Sequence, residues 1–306
     1  MSELLLRGMD VAGRDGLLLR DVSLHLYPGS PLGLVGPSGS GKTMLARALL
    51  GLLPGGFSIS GGQLSLNGDR IRLDRPDHLS SLCGRRIGYL LQHPHQAMDP
   101  VARVGVQMLD TLREHERLQH DRDGESTVLS WLNRMDFSDP ELIAKLYPFQ
   151  LSGGMARRVY LAMILMLEPE VLIADEPTAG LDGVTAGNIM NLIRRESGER
   201  ALMIITHDVR ILSPETDRIA VMVGGELVEE GPAAVMLDQP EHPYTRQMVA
   251  AVFGQEDGKE NGWDRNARDG FCGYRVSCPV RLDVCDTEPV PRHEREDGWV
   301  RCHRCS

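Results

Sequence analysis

Eight residues, Gly36-Pro37-Ser38-Gly39-Ser40-Gly41-Lys42-Thr43, have the spacing GxxxxGK(S/T), with the apolar run Leu32–Val35 before them and a leucine- and alanine-rich segment after. Glycines at this spacing let successive backbone N–H groups turn inward on phosphate oxygens, and a helix starting here adds partial positive charge. Lys42 is suited to neutralise β- and γ-phosphates, and the Thr43 hydroxyl to complete a Mg²⁺ shell. A glycine-rich turn that binds nothing is the bland alternative; the strand before and helix after argue against it. The candidate nucleotide contacts are therefore Gly36, Ser38, Gly39, Ser40, Gly41, Lys42 and Thr43.

Three further groups point to the same chemistry. Val171–Ala174 is an apolar run ending in Asp175-Glu176. A buried strand with a charged tip must turn that tip towards a site or carry a heavy desolvation cost. Asp175 is placed to hold Mg²⁺, and Glu176, one residue on, to polarise an attacking water. A second apolar run, Ala201–Thr206, ends in His207, suited to contact a γ-phosphate; a lone histidine there is more often structural, but two phosphate elements accompany it. Leu151-Ser152-Gly153-Gly154-Met155 opens a helical run and makes a second anion-binding helix start. One nucleotide seldom needs two such starts from one chain. A dimer resolves this, with Ser152, Gly153 and Gly154 of one subunit closing over the triphosphate held by the other.

The elements that must position these groups follow from pattern. Short strands are expected at Leu4–Leu6, Leu17–Leu19 and Val22–Leu26, a buried helix over Thr43–Leu53, and a hairpin over Gly61–Leu73. Residues 105–150 read as mostly helical, broken at Asp121–Gly124 and at Ser138-Asp139-Pro140. Val171–Ala174 and Ala201–Thr206 suit the middle of a parallel sheet, with a crossover helix Gly183–Arg195 between them. Gln255–Asp269 is polar and reads as a linker.

Composition sets outer limits. The chain has 306 residues with 42% hydrophobic and 25% charged, an ordinary globular balance and enough for about two domains. A formal charge of −10 argues against non-specific nucleic-acid binding, which needs a basic footprint. The longest apolar run, Val159–Leu167, is far short of the roughly 20 residues of a membrane span, and the N-terminus lacks the basic start and apolar core of a signal peptide. The chain is expected to stay where it is made, with its cysteines reduced unless they hold a metal.

In this combination and order, the motifs resemble those of the ABC ATPases: a Walker A loop at 36–43, a Q-loop glutamine in Leu90-Leu91-Gln92, the signature at 151–155, a Walker B strand at 171–176, a D-loop at Ala179-Gly180-Leu181-Asp182 and a switch histidine at His207. The resemblance implies an α/β P-loop NTPase (RecA-like) core with an antiparallel β-subdomain and a helical subdomain at about 93–165, within an ATPase domain at 1–235. It implies that Gln92 joins Thr43 and Asp175 around Mg²⁺ and senses the γ-phosphate, that Asp182 belongs to the nucleotide site, and that Glu176, His207 and Gln92 carry catalysis. Gln92-His93-Pro94, Asp99-Pro100, Gly231-Pro232, His242-Pro243-Tyr244-Thr245 and a cysteine-rich extension at 236–306 are similar to the oligopeptide/dipeptide/nickel importer ATPases. That implies an ATP-hydrolysing importer subunit on the cytoplasmic face of the plasma membrane, peripheral to it. Its partners would be a second ATPase subunit of a different chain, two transmembrane permease subunits and an extracytoplasmic substrate-binding protein, with no nucleic acid. The cargo would be peptides, nickel or a related small solute or metal chelate. Within this family the tail implies that Cys272, Cys278, Cys285 and Cys302 ligate a [4Fe–4S] cluster, with tetrahedral Zn²⁺ as the alternative and free thiols as the bland reading. Cys305 rivals Cys302 as fourth ligand, and Cys83 reads as an apolar filler.

Two departures stand out. Where the family often stacks adenine on an aromatic, this chain has Gly13-Arg14-Asp15-Gly16, and the signature runs into Ala156-Arg157-Arg158 rather than Arg-Gln-Arg. The rival readings are a soluble, non-transport ABC ATPase in repair or on ribosomes, and a metal-bearing interaction module with a regulatory ATPase.

Overall fold

The computed structural model describes residues 3–14, 16–117, 121–212, 216–252, 262–264 and 270–305. Strands β1 (Leu4–Gly13) and β2 (Gly16–Leu26) form a hairpin, followed by β3 (Leu32–Val35) and helix α1 (Lys42–Leu49). After β4 (Ser58–Leu66) and β5 (Asp69–Ile71) come the short α2 (Pro76–Ser80) and β6 (Ile87–Leu90). Helices α3 (Val104–Glu114), α4 (Asp121–Arg134), α5 (Pro140–Lys145) and α6 (Gly153–Leu165) make a helical layer. The chain continues through β7 (Val171–Asp175), α7 (Gly183–Ser197), β8 (Ala201–Thr206), β9 (Arg218–Val223) and β10 (Glu226–Pro232). It ends with α8 (Ala233–Asp238), α9 (Pro243–Val252), β11 (Arg292–Arg295) and β12 (Gly298–Arg301).

The main sheet has eight strands in the order β11-β12-β10-β9-β3-β8-β7-β6, parallel from β6 to β9 and antiparallel beyond. A second, antiparallel sheet runs β2-β1-β4-β5. Alternation along the central strands explains the layering. Val171, Ile173, Met203 and Ile205 pack with α1 and the second sheet, while Leu172, Ala174, Leu202 and Ile204 pack on the helical side. Both faces are covered, which is why these strands read as continuous apolar runs.

Several local expectations are corrected. The helix expected over Thr43–Leu53 ends at Leu49, because Gly51 takes φ +67° where a Cβ would lie 2.6 Å from the Pro76 carbonyl oxygen. The break expected at Asp121–Gly124 is instead the start of α4. The Ser126 and Thr127 hydroxyls bond the Asp123 carbonyl, and burial of Val128, Trp131 and Leu132 offsets the ~1 kcal/mol that a helical glycine costs. The two strands expected between Leu17 and Leu26 are one, β2, and the hairpin expected from Gly61 begins at Ser58. The expected linker Gln255–Asp269 lies outside the described residues except at 262–264, where Trp263 packs on the helical-side core.

Candidate nucleotide site

The carboxyl ends of β3, β7 and β8 are adjacent in the sheet, so Gly36, Asp175-Glu176 and Thr206-His207 emerge side by side. In open α/β sheets, ligands bind at this end. Gly36 turns away from β3 at φ +153°, where a Cβ would lie 2.0 Å from the Met222 carbonyl oxygen of β9. Only glycine lets the loop leave the strand so close to its neighbour. Gly41, the residue before α1, has φ +111° and a Cβ there would meet Leu19 Cδ2 at 2.5 Å, which ties the loop to β2.

Lys42 is buried and curls back so that Nζ donates to the carbonyls of Gly36 at 2.7 Å and Pro37 at 3.1 Å. Burial lowers its pKa, opposed by the charges of Glu176 and Asp175. Ser40 Oγ is buried with no hydrogen-bond partner, a donor left for a ligand oxygen. Ser38 and Gly39 are exposed at the loop tip. Thr43 Oγ1 donates to Asp175 Oδ1 at 3.3 Å, and Tyr89 OH to Asp175 Oδ2 at 2.8 Å. Burial raises the pKa of Asp175 while these hydrogen bonds pull it back; burial also raises that of Tyr89. A phosphate cradle, an unpartnered hydroxyl, and a threonine beside a buried carboxylate fit a nucleoside triphosphate with a divalent cation.

Glu176 follows Asp175 with φ +48°, a conformation that costs a non-glycine residue of order 1–3 kcal/mol. Its N–H donates to Ile205 O at 2.8 Å, and its Oε1 lies 2.8 Å from His207 Nδ1. Thr206 Oγ1 donates to Oε2 at 3.4 Å. The predicted Glu176 and His207 are thus directly paired, with the histidine ring largely exposed.

Ser152 caps α6, its Oγ accepting from Met155 N–H at 3.3 Å. Ser152, Gly153 and Gly154 line a cavity of about 670 Å³ with Asp182 and Thr185, not with the phosphate loop. Glu176 and His207 line another, of about 650 Å³, and Gly180 and Leu181 border both. The Asp182 carboxylate caps α7, accepting from the N–H groups of Val184 and Thr185 and from Thr185 Oγ1. The Gln92 side chain is exposed, while the backbone carbonyl of Gln92 accepts from Arg157 Nη2 at 3.2 Å.

Motif reading passes over Tyr89, and it meets Arg157 only as a departure after the signature, with no role attached. The signal for Tyr89 is a hydroxyl on a wholly buried strand, which must find an acceptor. For Arg157 it is an arginine on the buried face of a helix otherwise lined by Ala156, Val159 and Leu161.

The tail brings Cys302 and Cys278 within electrostatic reach of Cys272, and Cys302 and Cys285 within reach of Cys278. Burial pushes Cys272 up to about 12, with the charges of Cys302 and Cys278 adding, and burial likewise raises Cys278, with Cys302 and Cys285 adding. A hydrogen bond from Cys305 lowers Cys302 to about 6. His242 is fully buried; its Nδ1 accepts from Tyr244 N–H at 3.1 Å, so Nε2 carries the hydrogen, 3.7 Å from Cys272 Sγ. Glu229 of β10 accepts from the N–H groups of Glu241 and His242, tying this corner to the sheet. Among the described residues, no group of three or more His, Cys, Asp or Glu side chains is arranged to hold a metal ion.

A mixed sheet with a phosphate loop at the end of a central strand, and paired acidic residues on the next strand but one, defines a P-loop nucleoside triphosphatase. Residues 19–179 match the family described as "ABC transporter". The chain is 37% identical over 289 residues to the probable D,D-dipeptide transport ATP-binding protein DdpD of Escherichia coli, covering 89% of this chain and 86% of that protein. It is 33% identical over 297 residues to the oligopeptide transport ATP-binding protein OppD of E. coli, covering 94% and 87%. With the metal-staphylopine import system ATP-binding protein CntD of Staphylococcus aureus it shares 32% over 238 residues, covering 77% and 87%. Among solved structures, cbiO1 of Clostridium perfringens superposes with TM-score 0.66 at 26% identity, over 78% of this chain and 91% of that one. The chain belongs to the ATP-binding proteins of the ABC transporter family, and its activity is that of an ATPase.

Proposed function

We propose that this chain powers a membrane importer as one of two ATPase subunits docked on two permease subunits. The observation that carries this is the separation of the two anion-binding helix starts. The Ser152–Gly154 cap lines a cavity that takes in no residue of the phosphate loop, so in this reading each needs a second chain to become a complete triphosphate pocket. Val101, Val106, Leu142 and Phe149 leave exposed apolar surface on the helical region at 93–165, which suits a permease helix. Among the described residues no helix is long and apolar enough to cross a membrane, so in this reading the chain sits peripherally on the cytoplasmic face. The relatives' names favour transport over a repair or ribosomal role. They point to a peptide or metal-chelate cargo; delivery by an extracytoplasmic binding protein, and nickel as a further cargo, are part of this reading and rest on the sequence resemblance. The partner ATPase is taken to be a different chain.

In this mechanism Gly36–Thr43 wrap the phosphates, and Lys42 leaves the Gly36 and Pro37 carbonyls to meet the β- and γ-oxygens. Thr43 and Asp175, with Gln92, would hold Mg²⁺, which would supply further charge neutralisation. Glu176 orients and activates the attacking water, and His207, holding Glu176 through Nδ1, faces the γ-phosphate. The partner's signature segment closes this chain's pocket, while Ser152, Gly153 and Gly154 close the partner's, with Asp182 fixing the loop between the cavities. Phosphoryl transfer passes through a loose transition state, so these groups act chiefly by position and charge.

The division into an ATPase domain at 1–235 and an extension from 236 falls inside α8, and the extension returns to the main sheet through β11 and β12. The resemblance of the tail to the importer ATPases supports a [4Fe–4S] cluster on Cys272, Cys278, Cys285 and Cys302, with tetrahedral Zn²⁺ as the alternative, although among the described residues these side chains are not arranged to hold a metal ion. Its role would be to order the tail. Iron and acid-labile sulfide in anaerobically purified protein test this, and their absence removes it. Purification of the intact assembly tests the main reading. Two polytopic subunits should co-purify and ATP should drive solute uptake; an ATPase that purifies without membrane partners would contradict it.

A further inference from the structure

Arg157 sits in the second turn of α6, five residues past Ser152, and is 5% exposed. Burial alone pushes its pKa down. Its Nη2 donates to two carbonyls at once, Ala179 at 2.5 Å and Gln92 at 3.2 Å. Gln92 is the second residue of the loop after β6, and Ala179 lies in the loop between β7 and α7, three residues after Glu176 and three before Asp182. The guanidinium Nε is buried with no hydrogen-bond partner. A strut that served only stability would not bury a cation and leave a donor unpaired, since an apolar side chain fills such a space without that desolvation cost. Both acceptors are loop carbonyls rather than helix ends, so what this side chain fixes is the spacing of two loops. The spare Nε–H is a donor free for a third acceptor, which lets contacts be exchanged as the loops shift.

We propose that Arg157 is a positioning residue that locks the Gln92 loop to the Ala179–Asp182 loop, so that movement of Gln92 at one ATP pocket is passed to the loop bordering the other. The inference rests on the ATPase pair described above and adds the link between its two pockets. Because Arg157 donates to the two loops and not to Gly36–Thr43, its removal should spare nucleotide binding and depress turnover.

The test uses the full-length chain in its assembled complex, as Arg157→Met, which keeps much of the stem but no donor, and as Arg157→Lys. For Arg157→Met, the affinity for a fluorescent ATP analogue should stay within about twofold while kcat falls at least about tenfold and cooperative dependence on ATP becomes hyperbolic. Arg157→Lys, which keeps N–H donors, should recover part of both turnover and cooperativity. Unchanged turnover and cooperativity in Arg157→Met would overturn the proposal. So would a loss of kcat matched by equal loss of nucleotide affinity and a lowered Tm, or a lysine variant no better than methionine. A parent complex that hydrolyses no ATP would overturn the ATPase pair itself, and this inference with it.

Discussion

Tyr89→Phe removes one hydroxyl from a buried ring and nothing else. That hydroxyl donates to Asp175 Oδ2 at 2.8 Å, and without it the carboxylate keeps the longer bond from Thr43 at 3.3 Å. A hydrogen bond to a charged group contributes ~1.5–3 kcal/mol net, so the metal-free protein should lose about that much wherever Asp175 is ionised. The pH dependence follows from the direction of the shift. Burial holds the Asp175 pKa above its ordinary value. Between the unfolded and folded pKa values the native state binds more protons than the unfolded state, so unfolding free energy falls as pH rises. Loss of the Tyr89 bond, which favours the ionised form, raises the folded pKa further and steepens that fall. Glu226, Glu229 and Glu230 are also raised by burial, so the informative quantity is the difference between variant and parent. Calorimetry in EDTA from about pH 4 to about pH 8 should show nearly equal Tm values at the acid end and a gap of several degrees at the other, at roughly 2–4 °C per kcal/mol. Excess Mg²⁺ with ATP should narrow the gap. Equal Tm values across the whole range in EDTA would refute the reasoning.

Other substitutions probe neighbouring steps. Glu176→Gln should bind ATP like the parent and lose roughly 10²–10⁴-fold in kcat, measured by phosphate release. Retained hydrolysis would remove Glu176 as the base. Lys42→Ala should weaken ATP binding at least about tenfold, the loss of one charge-assisted contact, in a titration with a fluorescent nucleotide. Gly36→Ala should lower Tm by an amount equivalent to at least ~1–3 kcal/mol, because its Cβ would lie 2.0 Å from the Met222 carbonyl oxygen. A parent-like Tm would show that the loop can leave β3 by another path.

The parallel core was legible because its physics is local. Val171–Asp175 and Ala201–Thr206 are uninterrupted apolar runs that only a strand covered on both faces explains, and the phosphate loop carries its own glycines. Glu176 and His207 could be named from their places at strand ends. Their direct pairing could not, since it depends on β7 and β8 being adjacent in register. The roles of Tyr89 and Arg157 are hidden for the same reason: each acts on a partner brought near by the sheet or by helix packing, 86 residues away for Tyr89 and 65 for the Arg157–Gln92 contact. The start of α4 replaces the expected break because acidic residues and a glycine suit a loop and a helix N-terminus equally, and burial of Trp131 and Leu132 decides between them. The return of the tail to the main sheet through β12 rests on pairing of Trp299 and Val300 with Glu230 and Glu229, which short strands of this kind do not announce.

The most direct trial of the shared pocket is steady-state ATP hydrolysis by the assembled complex carrying Ser152→Phe and Gly154→Leu together with the matching substitutions in the partner ATPase, with nucleotide binding at the phosphate loop as the control for folding. Near-complete loss of hydrolysis with ATP still bound is the predicted result. Hydrolysis at the parent rate would mean that one chain alone makes a whole pocket, and would contradict the account.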